Sequence, residues 1–311
     1  MTPHPVPASA PVDHAPSRLI VAATVCWPFA ALGIKAPFLF PYFRDLGLSD
    51  AQIALLAGLA GVAVLSTQQL WGYLADVVLG RRRSLILMSL GCAACMAGLG
   101  FARGFWLILL IWVLNSVFAD SRMPLINALF LRAGQGRARG FGILRSLGTV
   151  AFLCTAAIVG LLVDWEGGPG IRVIFPLLVA VNLAYAITLM LRNERLPHVG
   201  AGGRPSFATV QRILLARPAI RMFLLFIVLY QLPHNFSLVM QGVLMRDLGA
   251  AFTGAMAPLF IGAVIEIPGL IWARDLLRRC PLLVVFLLCT IAQVIRWTLV
   301  WAFPVTGVIY A

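Results

Sequence analysis

Charge is what this sequence has least of. Only 11% of its 311 residues are charged, against about a quarter in a soluble domain. Apolar residues make up 61%, more than a soluble chain of this length can hide. They come in long blocks, many of 18 residues or more, the length that crosses a bilayer. The blocks lack apolar/polar alternation, which excludes a β-barrel. The chain also lacks a GxxxxGK[ST] phosphate loop, so ATP is not its energy source. It has no metal-spaced His/Cys cluster and no Ser–His–Asp arrangement. The expectation is therefore a protein that is not an enzyme and has no metal site and no cofactor. Cys92 and Cys95 form a CxxC, but no second pair completes a site, and "GCAACMAG" reads as a small-residue face for close helix packing.

Breaking the chain at charge and turn clusters leaves apolar blocks at about 19–43, 51–75, 84–102, 105–130, 141–163, 172–191, 220–243, 250–274 and 281–303. Each can span a core of ~30 Å at ~1.5 Å per residue. The expected organisation is a disordered cytoplasmic tail at 1–18, rich in proline and small residues, and a six-helix half at 19–191. A cytoplasmic linker at 192–219, containing "HVGAGGRPS", then leads into a shorter second half at 220–311.

The net charge of +13 does not point to nucleic acid, because the bases sit in short segments between apolar blocks. With bases near block edges counted with the adjoining segment, seventeen of the 24 lie in the tail or after even-numbered blocks, four lie after odd-numbered blocks, and Lys35, Arg122 and Arg296 lie deeper within blocks. This asymmetry predicts a multi-pass protein of the cell (inner) membrane with a cytoplasmic amino terminus.

An internal repeat relates the two halves. Arg-Asp-Leu-Gly at 44–47 recurs at 246–249, in each case at the end of a crossing on the base-poor side. The crossing that follows ends in an acid and bases both times, "GYLADVVLGRRR" and "IWARDLLRR", so that Asp76 corresponds to Asp275.

"GYLADVVLGRRR" resembles the loop between the second and third helices of the major facilitator superfamily, Gly-x-x-x-Asp-(Arg/Lys)-x-Gly-(Arg/Lys)-(Arg/Lys). Gly72, Asp76, Gly80, Arg81 and Arg82 match at stretched spacing, with Val77 in place of the usual base. "RGFGILRSLGTVAF" (139–152), "MPLINALFL", His234, Glu266 and "IRW" are similar to the branch that holds phenylpropionate and nucleoside proton symporters. The resemblance covers about 19–303. It implies an all-α polytopic fold of two pseudo-repeated halves, six helices followed by an incomplete three or four. The family has twelve, so a truncated chain or a fragment is expected from a sequence that stops as a tenth helix begins, at "VTGVIYA". The resemblance also implies a conformational latch at Gly72, Asp76, Gly80, Arg81 and Arg82. Gly72 is expected to let neighbouring helices approach closely. A purely topological role for the arginines is the alternative.

Ionisable groups inside apolar crossings cost at least ~2.5–3.5 kcal/mol each, so they seldom persist without a partner or a purpose. On a straight helix of 100° per residue, Ser116, Asp120 and Asn127 share one face, whereas Asp120 and Arg122 do not. Tyr230, His234, Ser237 and Gln241 share another face, beside Pro233. The candidate cavity residues are Lys35, Ser116, Asn127, Tyr230, His234, Ser237, Gln241 and Arg296. Glu266 is the first candidate for proton coupling and Asp120 the second, since burial and a nearby base shift a carboxyl in opposite directions. Lys35 has three open roles: meeting an anion, pairing with an acid, or snorkelling outward.

The expected function is a proton-coupled symporter of a small organic solute, an aromatic carboxylate or a nucleoside, working by alternating access. Its partners would be that solute, protons and the bilayer, and the protein would be a monomer if full length. An efflux antiporter of the same fold and a non-transporting membrane protein are the alternatives.

Overall fold

The computed structural model describes residues 18–133, 138–165, 170–191, 207–249, 251–255 and 257–302. The tail expected at 1–18 falls outside them except for Arg18, as do the first part of the linker, 192–206, and the end of the chain at 303–311. Among the described residues there is no strand.

The first half consists of α1 (Arg18–Asp45), α2 (Asp50–Tyr73), α3 (Arg81–Phe101), α4 (Phe105–Ala119), α5 (Arg122–Ala133), α6 (Ala138–Asp164) and α7 (Ile174–Leu191). A short amphipathic helix, α8 (Phe207–Leu215), lies within the stretch expected to be a linker. The second half contains α9 (Pro218–Asp247), the single turn α10 (Phe252–Ala255), α11 (Ala257–Arg279) and α12 (Leu282–Ala302).

Six segments among the described residues are long and apolar enough to cross a membrane: 19–45, 50–78, 81–101, 105–128, 142–164 and 171–191. In α9, α11 and α12 the apolar stretches are shorter, 218–230, 259–270 and 284–299. Polar residues such as Gln231, His234 and Arg274 interrupt them. The fourth block is not one straight helix, since the chain turns at Asp120 and Ser121 between α4 and α5.

Within the first half, α1 packs against α6 and α7, α3 lies between α4 and α7, and α2 rests on α4. Close approach depends on missing side chains. A Cβ on Gly33 would stand 2.5 Å from the Phe152 carbonyl oxygen, and one on Gly148 would stand 2.4 Å from the Phe29 ring. Two apolar clusters result. One holds Phe38, Phe43, Ile53, Leu99, Trp112 and Ile174 at the base-poor end, and the other holds Phe29, Trp71, Leu85, Met88 and Tyr185 at the base-rich end. The seam between halves is formed by α1, α2 and α6 against α9, α10 and α11.

Candidate functional site

Lys35 lies ten residues before the end of α1, about 15 Å along the helix. Its Nζ donates to Asp120 Oδ1 at 2.8 Å and stands 4.8 Å from the centre of the Trp112 ring. Asp120 occupies the turn that ends α4, its own amide bonded to the Ser116 carbonyl. The ammonium is thus held by a carboxylate on one side and an aromatic face on the other, which removes the need to snorkel. Lys35 is also the only lysine in the sequence.

Arg122, two residues beyond Asp120, faces a different way. It is 6% exposed, and its Nη1 donates to Asn182 Oδ1 at 2.7 Å and to Ser89 Oγ at 3.5 Å. Its Nε donates to the Ala119 carbonyl at 3.3 Å. Neutral oxygens from α3, α4 and α7 thus hold this guanidinium, which fastens the break between α4 and α5 to its neighbours.

The third charged group crosses the seam. Arg145 Nη2 of α6 meets Glu266 Oε1 of α11 at 3.0 Å. Arg145 Nη1 also donates to Thr149 Oγ1 at 3.0 Å, and Thr149 Oγ1 donates to Glu266 Oε2 at 3.5 Å. The guanidinium lies 4.4 Å from the centre of the Phe29 ring, the ring that the bare Gly148 admits. Counting bases by loop assigned Arg145 to a cytoplasmic segment. Instead it sits seven residues inside α6, within an apolar span. The signal available in the sequence was the apolar run "FGILRSLGTVAFL" on both sides of it. Arg296, a candidate cavity residue, rests against Trp297 at 5.5 Å, with no acceptor for its Nε.

The remaining candidates are dispersed. Ser116 is fully buried and donates its hydroxyl to the Trp112 carbonyl of its own helix. Asn127 is half-buried on α5. The turn after Asp120 breaks the straight-helix register that would align it with Ser116 and Asp120. Tyr230 is half-buried and stacks on Phe226, the ring centres 6.0 Å apart. Gln241 is 3% exposed, its side-chain nitrogen without an acceptor. His234 and Ser237 are on α9, and their side chains lie outside the described residues, as does that of Asp275.

In the loop between α2 and α3 the stretched spacing has a structural cause. Leu74–Val78 forms one wide π-turn, closed by the Leu79 amide on the Leu74 carbonyl at 2.7 Å. Such a turn accommodates one extra residue. Gly80 follows with φ of 81°, a backbone that side-chain-bearing residues rarely adopt. Asp76 accepts from Arg81 Nε at 2.8 Å, and Arg82 donates to the Leu189 and Met190 carbonyls at the end of α7. These bonds stay within the first half. At Gly72 a Cβ would meet nothing within 4 Å among the described residues.

A family model described as "MFS_1 like family" matches residues 22–310. The chain is 28% identical to the maltose permease of Geobacillus stearothermophilus over 91% of its own length and 70% of that protein's. It is 24% identical to the probable 3-phenylpropionic acid transporter of Escherichia coli (strain K12), over 88% and 71%. A 138-residue stretch is 31% identical to the multi-drug resistance efflux pump PmrA of Streptococcus pneumoniae, covering 42% of this chain and 34% of the pump. Among solved structures, the nucleoside transporter NupG superposes with a TM-score of 0.71 at 17% identity, over 94% of this chain and 76% of that one.

Proposed function

Because the chain belongs to the MFS_1 like family, and so to the major facilitator transporters, we propose that it is a proton-coupled symporter of a small organic anion. In this reading the base-rich ends of the helices face the cytoplasm, and Glu266 carries the proton.

The observation that carries the reading is the Arg145–Glu266 pair. It joins the two halves within the membrane, at the seam that alternating access must open. Protonation neutralises the Glu266 carboxylate and leaves the Arg145 guanidinium charged. A carboxylate on the solute then replaces Glu266 as its counter-ion. One proton and one anion enter together, and neither charge crosses the apolar core unpaired. Lys35 and Asp120 form a second pair of the same kind in the first half. The name of one relative, the probable 3-phenylpropionic acid transporter, agrees with an aromatic acid as solute. A second reading, export by the same fold, is favoured by the stretch shared with the PmrA efflux pump.

The test is uptake into proteoliposomes under an imposed pH gradient, with aromatic carboxylates, nucleosides and maltose as solutes. We expect uphill accumulation of the carboxylate, and Glu266→Gln should retain exchange while losing accumulation. Accumulation of equal size in Glu266→Gln would overturn the assignment.

A further inference from the structure

The Arg-Asp-Leu-Gly repeat does more than mark two halves, because its copies meet. Both copies end a helix in the same way. Leu46 and Leu248 return their amides to the Tyr42 and Leu244 carbonyls at 3.0 Å, and Gly47 and Gly249 follow with φ of 84° and 82°. These left-handed glycine stops place the helix ends of α1 and α9 side by side at the base-poor face.

Arg44 of the first copy reaches Asp247 of the second with a two-pronged contact, Nε to Oδ1 and Nη2 to Oδ2, each at 3.4 Å. Its Nη1 is held at 2.8 Å by Asp50, at the start of α2. Asp247 stands in the last turn of α9, where the helix dipole disfavours an acid. The arginine from the other half offsets that placement.

A second tie lies at the same face. Asp164, the last residue of α6, accepts both the amide and the hydroxyl of Thr253 on α10, each at 2.7 Å. At this face each half therefore contributes an acid that a group from the other half holds.

We propose that these two contacts form a clamp that closes the base-poor face, and that each transport cycle opens and remakes it. The chemistry suits a reversible closure. The Arg44–Asp247 contact is long for a charged bond and exposed to solvent, so it holds the face weakly. Among the described residues the Asp76, Arg81 and Arg82 bonds stay within the first half, whereas both clamp contacts join the two halves. The proposal rests on the transporter fold and not on which group carries the proton.

The test places a cysteine at Val243, which is 4% exposed in the apolar cluster behind the clamp. Its modification rate by a thiol reagent is measured on the full chain in open membrane fragments, where both faces are accessible, with the unsubstituted chain as the background for native cysteines. We expect Asp247→Asn and Thr253→Ala each to speed modification about two- to five-fold, the range that one exposed ion pair or one net hydrogen bond supports. The charge exchange Arg44→Asp with Asp247→Arg should return the rate toward that of the parent. Unchanged rates in both single variants would overturn the clamp, and so would an exchange variant as fast as the singles. Glu266→Gln serves as the independent comparison, since failure of proton coupling leaves the labelling result standing.

Discussion

Arg122 and Lys35 pose the same problem, a full positive charge within an apolar span, and the molecule solves it in two ways. Arg122 is surrounded by neutral oxygens and buried, so its role is structural. Arg122→Gln should lower stability by about 1.5–3 kcal/mol, the worth of a buried hydrogen bond to a charged group, read as a drop in detergent melting temperature. Lys35 has a carboxylate partner, so removing one member strands the other. Lys35→Gln and Asp120→Asn should each lower stability, and the double variant should be more stable than the sum of the two losses predicts. A double-mutant cycle in detergent checks this. The separate directions of Asp120 and Arg122 were legible from helix geometry alone. Their partners were not, because Asn182, Ser89 and Lys35 lie 33 to 85 positions away, and periodicity within one helix says nothing about its neighbours.

Helices are where sequence pattern served best and where its failures are most instructive. Long apolar blocks and base-rich breaks marked each crossing of the first half, because bilayer length and loop charge act on the sequence locally. Arg145 shows the limit, since one base close to a loop is indistinguishable in a count from a base within it. Gly72 shows another limit. The loop-motif glycine suggested close packing, but the tightest contacts are at Gly33, which no motif marks, at Gly148 within "RGFGILRSLGTVAF", and at Gly91 of the small-residue face "GCAACMAG". Gly33→Ala should destabilise by about 1–3 kcal/mol, because the obstructing atom is the Phe152 backbone oxygen and cannot rotate away. Gly148→Ala should instead displace Phe29 from Arg145 and thereby weaken the pair with Glu266. Its expected signature is a loss of transport larger than its loss of melting temperature. Deleting Val78 should shorten the π-turn to an ordinary one while preserving expression, since that turn holds the one surplus residue of its loop.

At the scale of the whole molecule, the polar contacts that join the two halves include Arg44–Asp247, Asp164–Thr253, Gln69–Gln211 and Arg145–Glu266. None joins two fully buried charges. A seam of this kind can part and close without unfolding either half, as rigid-body alternation demands. The repeat was visible in the sequence as a topological marker. That its two copies touch followed only from packing.

Lys35 has one more consequence, for chemical labelling. It carries the only ε-amine in the chain, its side chain is 15% exposed, and that amine is held by Asp120. Within these 311 residues, apart from the amino terminus, an amine-acylating reagent has one target, and it reacts when the ion pair with Asp120 opens. Acylation at this position, followed by peptide mass, is thus a built-in clock for opening of the first-half pair, with no engineered residue required. Asp120→Asn should make it run faster.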